Sequence, residues 1–141
     1  MKILSILGTR PEAIKMAPVI KELEKHPQEL KSLICVTGQH RQMLDQVLEL
    51  FGIHPDIDLN LMQPNQRLAV LTARLFETLD SVIEETRPDW ILAQGDTTTV
   101  FVSAVMAYYH DIRFGHVEAG LRTLDKRRPF PEEMNRRLAD A

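Results

Sequence analysis

The sequence has little of what marks disulfide-rich, membrane-spanning or nucleic-acid-binding proteins. One cysteine among 141 residues cannot form an internal disulfide. No apolar run approaches the roughly 18 residues of a transmembrane helix, and residues 2–8 lack the form of a signal peptide. The net charge of −3 argues against long-range attraction to nucleic acid or to an anionic membrane. We therefore expect a cytoplasmic protein with neither kind of partner.

The composition is that of one globular domain. Hydrophobic residues make up 44% and charged residues 26% of a chain long enough for a sizeable core. The lone Cys35 lies in the apolar run Leu33–Val36, which favours a small core residue over a nucleophile. The basic run at 126–128 is more typical of a solvated loop than of a contact with an anion.

Short apolar runs alternate with long amphipathic segments, a pattern typical of βαβ units around a parallel sheet. The fold class that it predicts is α/β, with a Rossmann-like doubly wound parallel sheet. The predicted strands are Lys2–Leu7, Leu33–Thr37, a short edge strand within 56–61, Trp90–Ala93 and Ile112–Val117. The predicted helices are about 9–25, Gln42–Phe51, Leu68–Thr86, Thr97–Tyr109 and one that begins at Pro131.

The last predicted helix is still in progress at Ala141, and no further strand follows it. A doubly wound half normally continues from such a helix into another strand. We therefore expect residues 1–141 to form one incomplete domain. An unpaired sheet edge in such a domain would favour self-association.

Polar residues follow four of the predicted strands. In open α/β sheets, ligands bind beyond the carboxyl ends of the strands. The residues at that rim are Gly8, Thr9 and Arg10 after the first strand, Gly38, Gln39 and His40 after the second, Asp96 after the Trp90 strand and Glu118 after the last. A binding site at this rim is the prediction, although every strand ends in a loop and some polar residues are expected there by chance.

The turn after the first strand reads GTRPE and is not a dinucleotide fingerprint. It lacks both the G-x-G-x-x-G spacing and the Walker lysine. A helix that begins there, with Thr9 and Glu12 as a capping box, could still bind an anion through free N–H groups. Arg10 and Lys15 could add positive charge, or could be surface residues.

Two strand-end carboxylates are candidates for chemistry. Asp96 stands between Gly95 and a run of threonines, where it could cap the next helix or serve a site. Glu118 precedes no helix, so capping is closed to it and a site role is favoured. His116 is a core or rim histidine, and we expect no metal site because no ligand spacing accompanies it.

Two glutamates open the last predicted helix, where negative charge is favoured. Glu132 has Arg136 four residues on, and Glu133 has Arg137. The two pairs face about 100° apart on a helix, so one can turn toward the site while the other stays in water.

Five segments together carry a specific resemblance. They read GTRPEAIKMAP (8–18), TGQHRQMLD (37–45), QGDTTT (94–99), GHVEAGLRT (115–123) and PFPEEMNRR (129–137). In order and spacing the sequence resembles the non-hydrolysing UDP-N-acetylglucosamine 2-epimerases. The resemblance implies a two-domain fold of glycosyltransferase-B type with the active site between two lobes. Residues 1–141 would be most of the amino-terminal lobe, without the second, nucleotide-binding lobe.

The resemblance implies an isomerase that interconverts UDP-N-acetylglucosamine and UDP-N-acetylmannosamine at C2, supplying N-acetylmannosamine for cell-surface polysaccharide. UDP is eliminated to give 2-acetamidoglucal and is then added back, without a cofactor. By motif match the catalytic residues are Asp96, Glu118 and Glu132, and the substrate-binding residues are Arg10, Lys15 and Arg136. A homodimer is implied as well. Without the second lobe we expect negligible activity and weak UDP affinity.

The chemistry itself gives a reason for several carboxylates. The C2 proton is weakly acidic, so its removal needs a positioned base coupled to departure of the UDP oxygen. Delivery of a proton to either face of the sugar needs acid–base groups on both sides. We expect burial or like-charge neighbours to raise the pKa of such a base.

Bacterial members of the family also bind a second UDP-N-acetylglucosamine as an activator. The matching positions in this sequence are Gln39, Gln42 and Gln66. The family pattern has an arginine just before the last of these, where this sequence has Asn65. Activator binding is therefore the least direct of the inherited properties.

Three other functions stay open from the sequence alone. A hydrolysing relative would release free N-acetylmannosamine and UDP. A glycosyltransferase of the same fold would need an acceptor, and it would not explain the GHVEAG and PEEMN carboxylates together. A non-catalytic flavodoxin-like module would be expected to carry acidic residues after the first strand, where this chain has Thr9 and Arg10.

Overall fold

The protein folds around one parallel sheet. The structure is a computed structural model that describes residues 1–38, 41–61, 63 and 65–141. Its five strands, β1 to β5, are Lys2–Leu7, Lys31–Val36, Ile57–Asp58, Trp90–Gln94 and Arg113–Val117. Its helices, α1 to α5, are Arg10–Glu24, Arg41–Leu50, Leu68–Thr86, Thr98–Tyr109 and Glu132–Ala139. The strand order is β3-β2-β1-β4-β5 with every pairing parallel, which is the Rossmann-like arrangement that the sequence predicts.

Helices cover both faces of the sheet, because alternate strand residues point to opposite sides. On one face Leu4 and Ile6 of β1 pack with α3 and α4. On the other face Leu7 of β1 packs with α1 and α2. Burial on both sides explains why the strands read as continuous apolar runs rather than as alternating ones.

The predicted elements agree with the structure except near their ends. The bounds of β1 and α3 are as predicted, whereas β2 begins two residues earlier, at Lys31. The edge strand predicted within 56–61 forms a parallel pair with β2 over Ile57–Asp58. Cys35 is buried in the core, and burial together with the nearby Asp58 charge raises the pKa of its thiol to about 12. It is therefore a core residue, as predicted.

The last helix reaches nearly to the end of the chain. The sequence predicts a helix that begins at Pro131, and α5 spans Glu132–Ala139, with the backbone N–H of Asp140 still donating to the Arg136 carbonyl at 3.1 Å. Ala139 packs against Val100 of α4 and Ala93 of β4. The side chain of Asp140 pairs with His116 and Arg122. These contacts join the last turn of α5 to β5 and to the loop after it.

None of the helices in the described ranges combines the length and apolar character needed to cross a lipid bilayer.

Candidate functional site

A cleft of about 240 Å³ lies beyond the carboxyl ends of β1, β4 and β5. Its walls come from the start of α1, the two loops after β4 and β5, and one side chain of α5. The lining residues are Thr9, Pro11, Glu12, Lys15, Gln94, Gly95, Asp96, Thr97, Glu118 and Arg136. A larger hollow of about 1010 Å³ lies at the opposite, amino ends of β4 and β5 and contains none of these residues. The small cleft is the candidate site because it occupies the ligand-binding rim of this fold.

Glu118 is held by two donors from different elements. Its Oε2 accepts a hydrogen bond from Lys15 Nζ of α1 at 2.5 Å and another from Gln94 Nε2 at the end of β4. Its backbone has a φ of +61°, which turns the chain sharply after β5. Such a conformation is uncommon for a residue other than glycine, and it occurs here at the cleft.

The ion pair lowers the pKa of Glu118. The main cause is the hydrogen bond from Lys15; burial opposes it, and the charges of Lys15 and Arg136 add to the lowering. The sequence-based expectation of a raised pKa is therefore wrong for Glu118. Repulsion between carboxylates does not set the pKa of Glu118, because Glu118 is paired with Lys15 and the neighbouring Asp96 is paired with Arg136.

We expect Lys15→Met to raise the pKa of Glu118 toward the ordinary value of 4.5, measured by carboxyl ¹³C NMR against pH. A depressed pKa favours the folded state above 4.5, and that contribution is lost as the pH falls through the depressed value. Lys25→Met is the matched control, since Lys25 lowers the pKa of Glu22 instead. Equal effects of the two variants on Glu118 would contradict the assignment.

Asp96 is anchored by the last helix. Its Oδ2 accepts hydrogen bonds from Arg136 Nε at 2.9 Å and from Arg136 Nη2 at 2.6 Å. Its carbonyl oxygen accepts one from Asn135 Nδ2 at 2.9 Å. Thr97, not Asp96, is the N-cap residue of α4. The capping interpretation of Asp96 is therefore wrong, and its carboxylate faces the arginine in the cleft.

The predicted pairing within α5 holds for one pair only. Arg136 binds Asp96 and also donates to the carbonyl oxygen of Glu118 at 3.2 Å, so it does not pair with Glu132. Glu132 is half-buried, and its Oε2 has no hydrogen-bond partner among the described residues. Arg137 does pair with Glu133, at 2.9 Å.

The helical spacing suggests that one of the two glutamate–arginine pairs stays in water, but Glu133 is buried. It is 1% exposed, and its carboxylate accepts the backbone N–H groups of Thr123 and Leu124 at 2.9 and 3.3 Å. The hydrogen bond from the Thr123 N–H is the main cause of the lowered pKa of Glu133; burial opposes it, and Arg137 and then the Leu124 N–H add to the lowering. Glu133 thus fastens the loop after β5 to α5, which is a structural role.

The amino terminus of α1 is closed by its own side chain. Glu12 is 2% exposed, and its Oε2 accepts the backbone N–H groups of Gly8 at 2.5 Å and Thr9 at 3.0 Å. Burial raises its pKa, against the lowering effect of these hydrogen bonds and of Thr97. The capping by Glu12 is confirmed, but these two N–H groups are not free, so the expected anion site there is wrong in that respect.

The structure brings together four of the six residues predicted for catalysis and substrate binding. Asp96, Glu118, Lys15 and Arg136 line one cleft. Arg10 is exposed and does not line it. Glu132 lies one helical turn before Arg136, outside the lining.

The predicted activator residues are less well defined. Gln39 lies outside the described residues. Gln42 is exposed on α2. Gln66 accepts a hydrogen bond from the backbone of Gln63 at 3.2 Å, and neither Gln42 nor Gln66 lines the cleft.

Sequence reasoning missed several polar residues at the site. Gln94 is buried at the end of β4, Thr97 lines the cleft, and Asn135 holds the Asp96 carbonyl. The available signal was the presence of polar residues at strand ends and helix starts, since buried polar groups there need hydrogen-bond partners. Which partners they find depends on residues far away in the sequence.

The fold and the cleft define a Rossmann-like α/β lobe with a candidate ligand site at the carboxyl ends of its strands. The site combines three carboxyl groups, those of Glu12, Asp96 and Glu118, with two cations. Residues 21–141 match the family model described as UDP-N-acetylglucosamine 2-epimerase. The chain belongs to the UDP-N-acetylglucosamine 2-epimerase family.

Individual relatives agree with this assignment. The UDP-N-acetylglucosamine 2-epimerase of Neisseria meningitidis is 55% identical over 138 residues, which is 98% of this chain and 37% of the relative. The enzyme of that name from Bacillus subtilis is 53% identical over 141 residues, which is 100% of this chain and 37% of the relative. The chain therefore spans a little over a third of the length of these relatives.

Solved structures give the same picture. The chain superimposes with a TM-score of 0.94 on the N. meningitidis UDP-GlcNAc 2-epimerase bound to UDP-GlcNAc, covering 99% of this chain and 37% of that one at 55% identity. It superimposes with a TM-score of 0.92 on the Methanocaldococcus jannaschii enzyme in complex with UDP-GlcNAc and UDP, covering 99% and 38% at 36% identity.

Proposed function

We propose that this chain is the amino-terminal lobe of an enzyme that interconverts UDP-N-acetylglucosamine and UDP-N-acetylmannosamine. The observation that carries the proposal is that Asp96 and Glu118, from the tips of neighbouring strands, share one cleft with Lys15 and Arg136. Membership of the epimerase family and the likeness to a structure bound to UDP-GlcNAc support the choice of substrate.

The proposed reaction has an elimination and an addition. In the first, a carboxylate takes the C2 proton, the C2–H electron pair forms the C1=C2 double bond of 2-acetamidoglucal, and the C1–O bond breaks with its electrons leaving on UDP. In the second, the same UDP oxygen bonds to C1 while a proton is delivered to the opposite face of C2. Atoms and electrons balance without an external oxidant or reductant.

Each charged residue of the cleft has a part in this scheme. Asp96 and Glu118 are the acid–base groups, with Glu132 one helical turn from Arg136 as the third carboxylate. In this structure Lys15 neutralises Glu118 and Arg136 neutralises Asp96. In the complex the two cations and Arg10 would face the diphosphate, whose charge develops as the C1–O bond breaks.

The activity needs more than this lobe. The relatives are almost three times as long, and we propose that the part of them beyond this match binds most of the nucleotide, so that residues 1–141 alone are inactive. The homodimer, the cytoplasmic location, the supply of N-acetylmannosamine to cell-surface polysaccharide and activator binding near Gln42 and Gln66 belong to the same proposal.

A hybrid enzyme tests the proposal. Residues 1–141 replace the matching part of the N. meningitidis relative, and the product is incubated with UDP-N-acetylglucosamine in D₂O. We expect UDP-N-acetylmannosamine with deuterium at C2, detected by NMR, and no turnover by the 141-residue chain alone. The unaltered relative is the positive control.

Other products would identify other functions. Free N-acetylmannosamine would indicate the hydrolysing reaction, and turnover only with an added sugar acceptor would indicate a glycosyltransferase. A hybrid that folds as the relative does but leaves the substrate unchanged would contradict the proposal.

A further inference from the structure

His116 lies behind the cleft with both ring nitrogens engaged. It is in β5, its side chain is 6% exposed, and its ring lies 5.9 Å from that of Phe114. Nε2 is 2.6 Å from the carbonyl oxygen of Gly95, and Nδ1 contacts Oδ1 of Asp140. The side chain therefore bridges the turn after β4 and the end of α5.

Both partners of this ring are acceptors. A carbonyl oxygen and a carboxylate can only accept hydrogen bonds, whereas a neutral imidazole has one N–H to donate. Only the doubly protonated, positively charged ring donates to Gly95 and Asp140 at once. Deprotonation must release one of the two contacts.

The carboxylate opposite the ring has further donors. Oδ2 of Asp140 contacts Nη2 of Arg122, and the backbone N–H of Gly120 lies 3.4 Å from it. Burial works to raise the pKa of Asp140, but the hydrogen bonds and charges of Arg122 and His116 outweigh it and lower the pKa. Asp140 is therefore the anion of a compact charged cluster.

The cluster bears on the candidate site through the backbone. Gly95 immediately precedes Asp96 and has a φ of +90°, and no atom of the described residues lies within 4 Å of the place that a Cβ atom would take on it. Side-chain packing thus does little to hold this turn. The turn is held by hydrogen bonds: the backbone N–H of Gly95 donates to Val117 at 3.1 Å, His116 donates to the Gly95 carbonyl, and Asn135 and Arg136 donate to Asp96.

We propose that His116 is a positioning residue: its protonated ring ties the Gly95–Asp96 turn to Asp140 and so sets the place of the Asp96 carboxylate in the cleft. The inference rests on the proposed function for the role of Asp96 in catalysis. His116 itself does not line the cleft and acts only through the turn.

The charged groups around the ring come from three elements. Asp140 follows α5, Arg122 lies in the loop after β5, and Asp96 follows the contacted Gly95. Arg136 neutralises Asp96, and Arg122 shares Asp140 with the histidine.

The test is an NMR titration of the 141-residue chain, which needs no turnover. We expect ring ¹⁵N shifts to show His116 protonated at both nitrogens at low pH. As the ring loses its proton, the amide signals of Gly95, Asp96 and Asp140 should move with the same midpoint. In Asp140→Asn that shared midpoint should fall to a lower pH, because a neutral amide stabilises the charged ring less than a carboxylate does.

A second histidine–aspartate pair provides the matched control. His110 Nε2 lies 2.7 Å from Oδ1 of Asp80, away from the cleft. Asp80→Asn removes the carboxylate beside His110 and should leave the amides of Gly95 and Asp96 as they are. His116→Gln, with one donor group and no charge in this pH range, should abolish the shared transition in a chain that still folds.

The outcomes separate this inference from the proposed function. The inference is overturned, whatever the activity, if the amide signals of Gly95 and Asp96 do not move when His116 titrates. It is also overturned if those signals change as much in Asp80→Asn as in Asp140→Asn. In the hybrid enzyme, His116→Gln should lower kcat by up to ~10²-fold with little change in KM, because a displaced carboxylate loses reactivity rather than substrate. An inactive hybrid with the NMR coupling intact would refute the function and not the geometry.

Discussion

Asp96→Asn and Glu118→Gln are each expected to lower kcat of the hybrid enzyme by about 10²- to 10⁴-fold, the range found for loss of a general acid or base. Each replacement keeps the size of the side chain and removes its ability to take up a proton. The partners of both carboxylates, Arg136 and Lys15, can still donate to an amide oxygen. The expected loss is therefore one of chemistry rather than of folding, and it is measured as the rate of UDP-N-acetylmannosamine formation.

The control is a glutamate that is also paired with a lysine but lies outside the cleft. Glu24 accepts a hydrogen bond from Lys21 at 2.8 Å on the exposed side of α1, so Glu24→Gln should leave the rate unchanged. Exchange of deuterium into C2 should be followed in the same samples, since it reports proton transfer separately from UDP release. If either cleft variant retains turnover within about threefold of the parent, its residue is not an acid–base catalyst.

Gly38→Ala is expected to destabilise the fold by about 2 to 4 kcal/mol, the largest stability effect that we foresee for so small a change. Gly38 follows β2 with a φ of +78°, a conformation that alanine adopts only with strain. A Cβ atom there would also lie 2.9 Å from Cα of Asn60, which is backbone and cannot rotate away. The two penalties add, and urea unfolding of the 141-residue chain measures their sum.

Gly120→Ala separates the two causes. Gly120 has a similar φ of +85°, but within the described part of the chain no atom lies within 4 Å of a Cβ added to it. This variant should show the backbone strain alone, about 1 kcal/mol. Equal losses for the two variants would mean that the segment around Asn60 moves aside at little cost.

The sequence specifies the sheet and its helices well because their signals are local. The apolar run of β1 and the three- and four-residue spacing of α3 each fall within one element, and both predict the right bounds. The contacts of Asp140 have the opposite origin. Its carboxylate pairs with His116, which is 24 residues away in the sequence.

The site shows the same division. Strand tips place Asp96 and Glu118 at one rim, so their proximity follows from the order of the elements. The partners of Arg136 and Glu133 do not follow from the order of the elements. A spacing of four residues suggests a pair within one helix, but Asp96 lies 40 residues from Arg136 and accepts two hydrogen bonds from it. Glu133 is buried because the backbone of a distant loop needs its carboxylate, which no helical pattern reveals.

The contacts of α5 and Asp140 with the loops after β4 and β5 have a consequence for folding during translation. Strands β1, β2 and β4 can pair as soon as the ribosome has released them, since their contacts lie within residues 2–94. The Asp96 turn and the Glu118 loop must wait for Asn135, Arg136 and Asp140, which are translated after them. A nascent lobe should thus acquire its scaffold well before the side chains of its cleft are held in place.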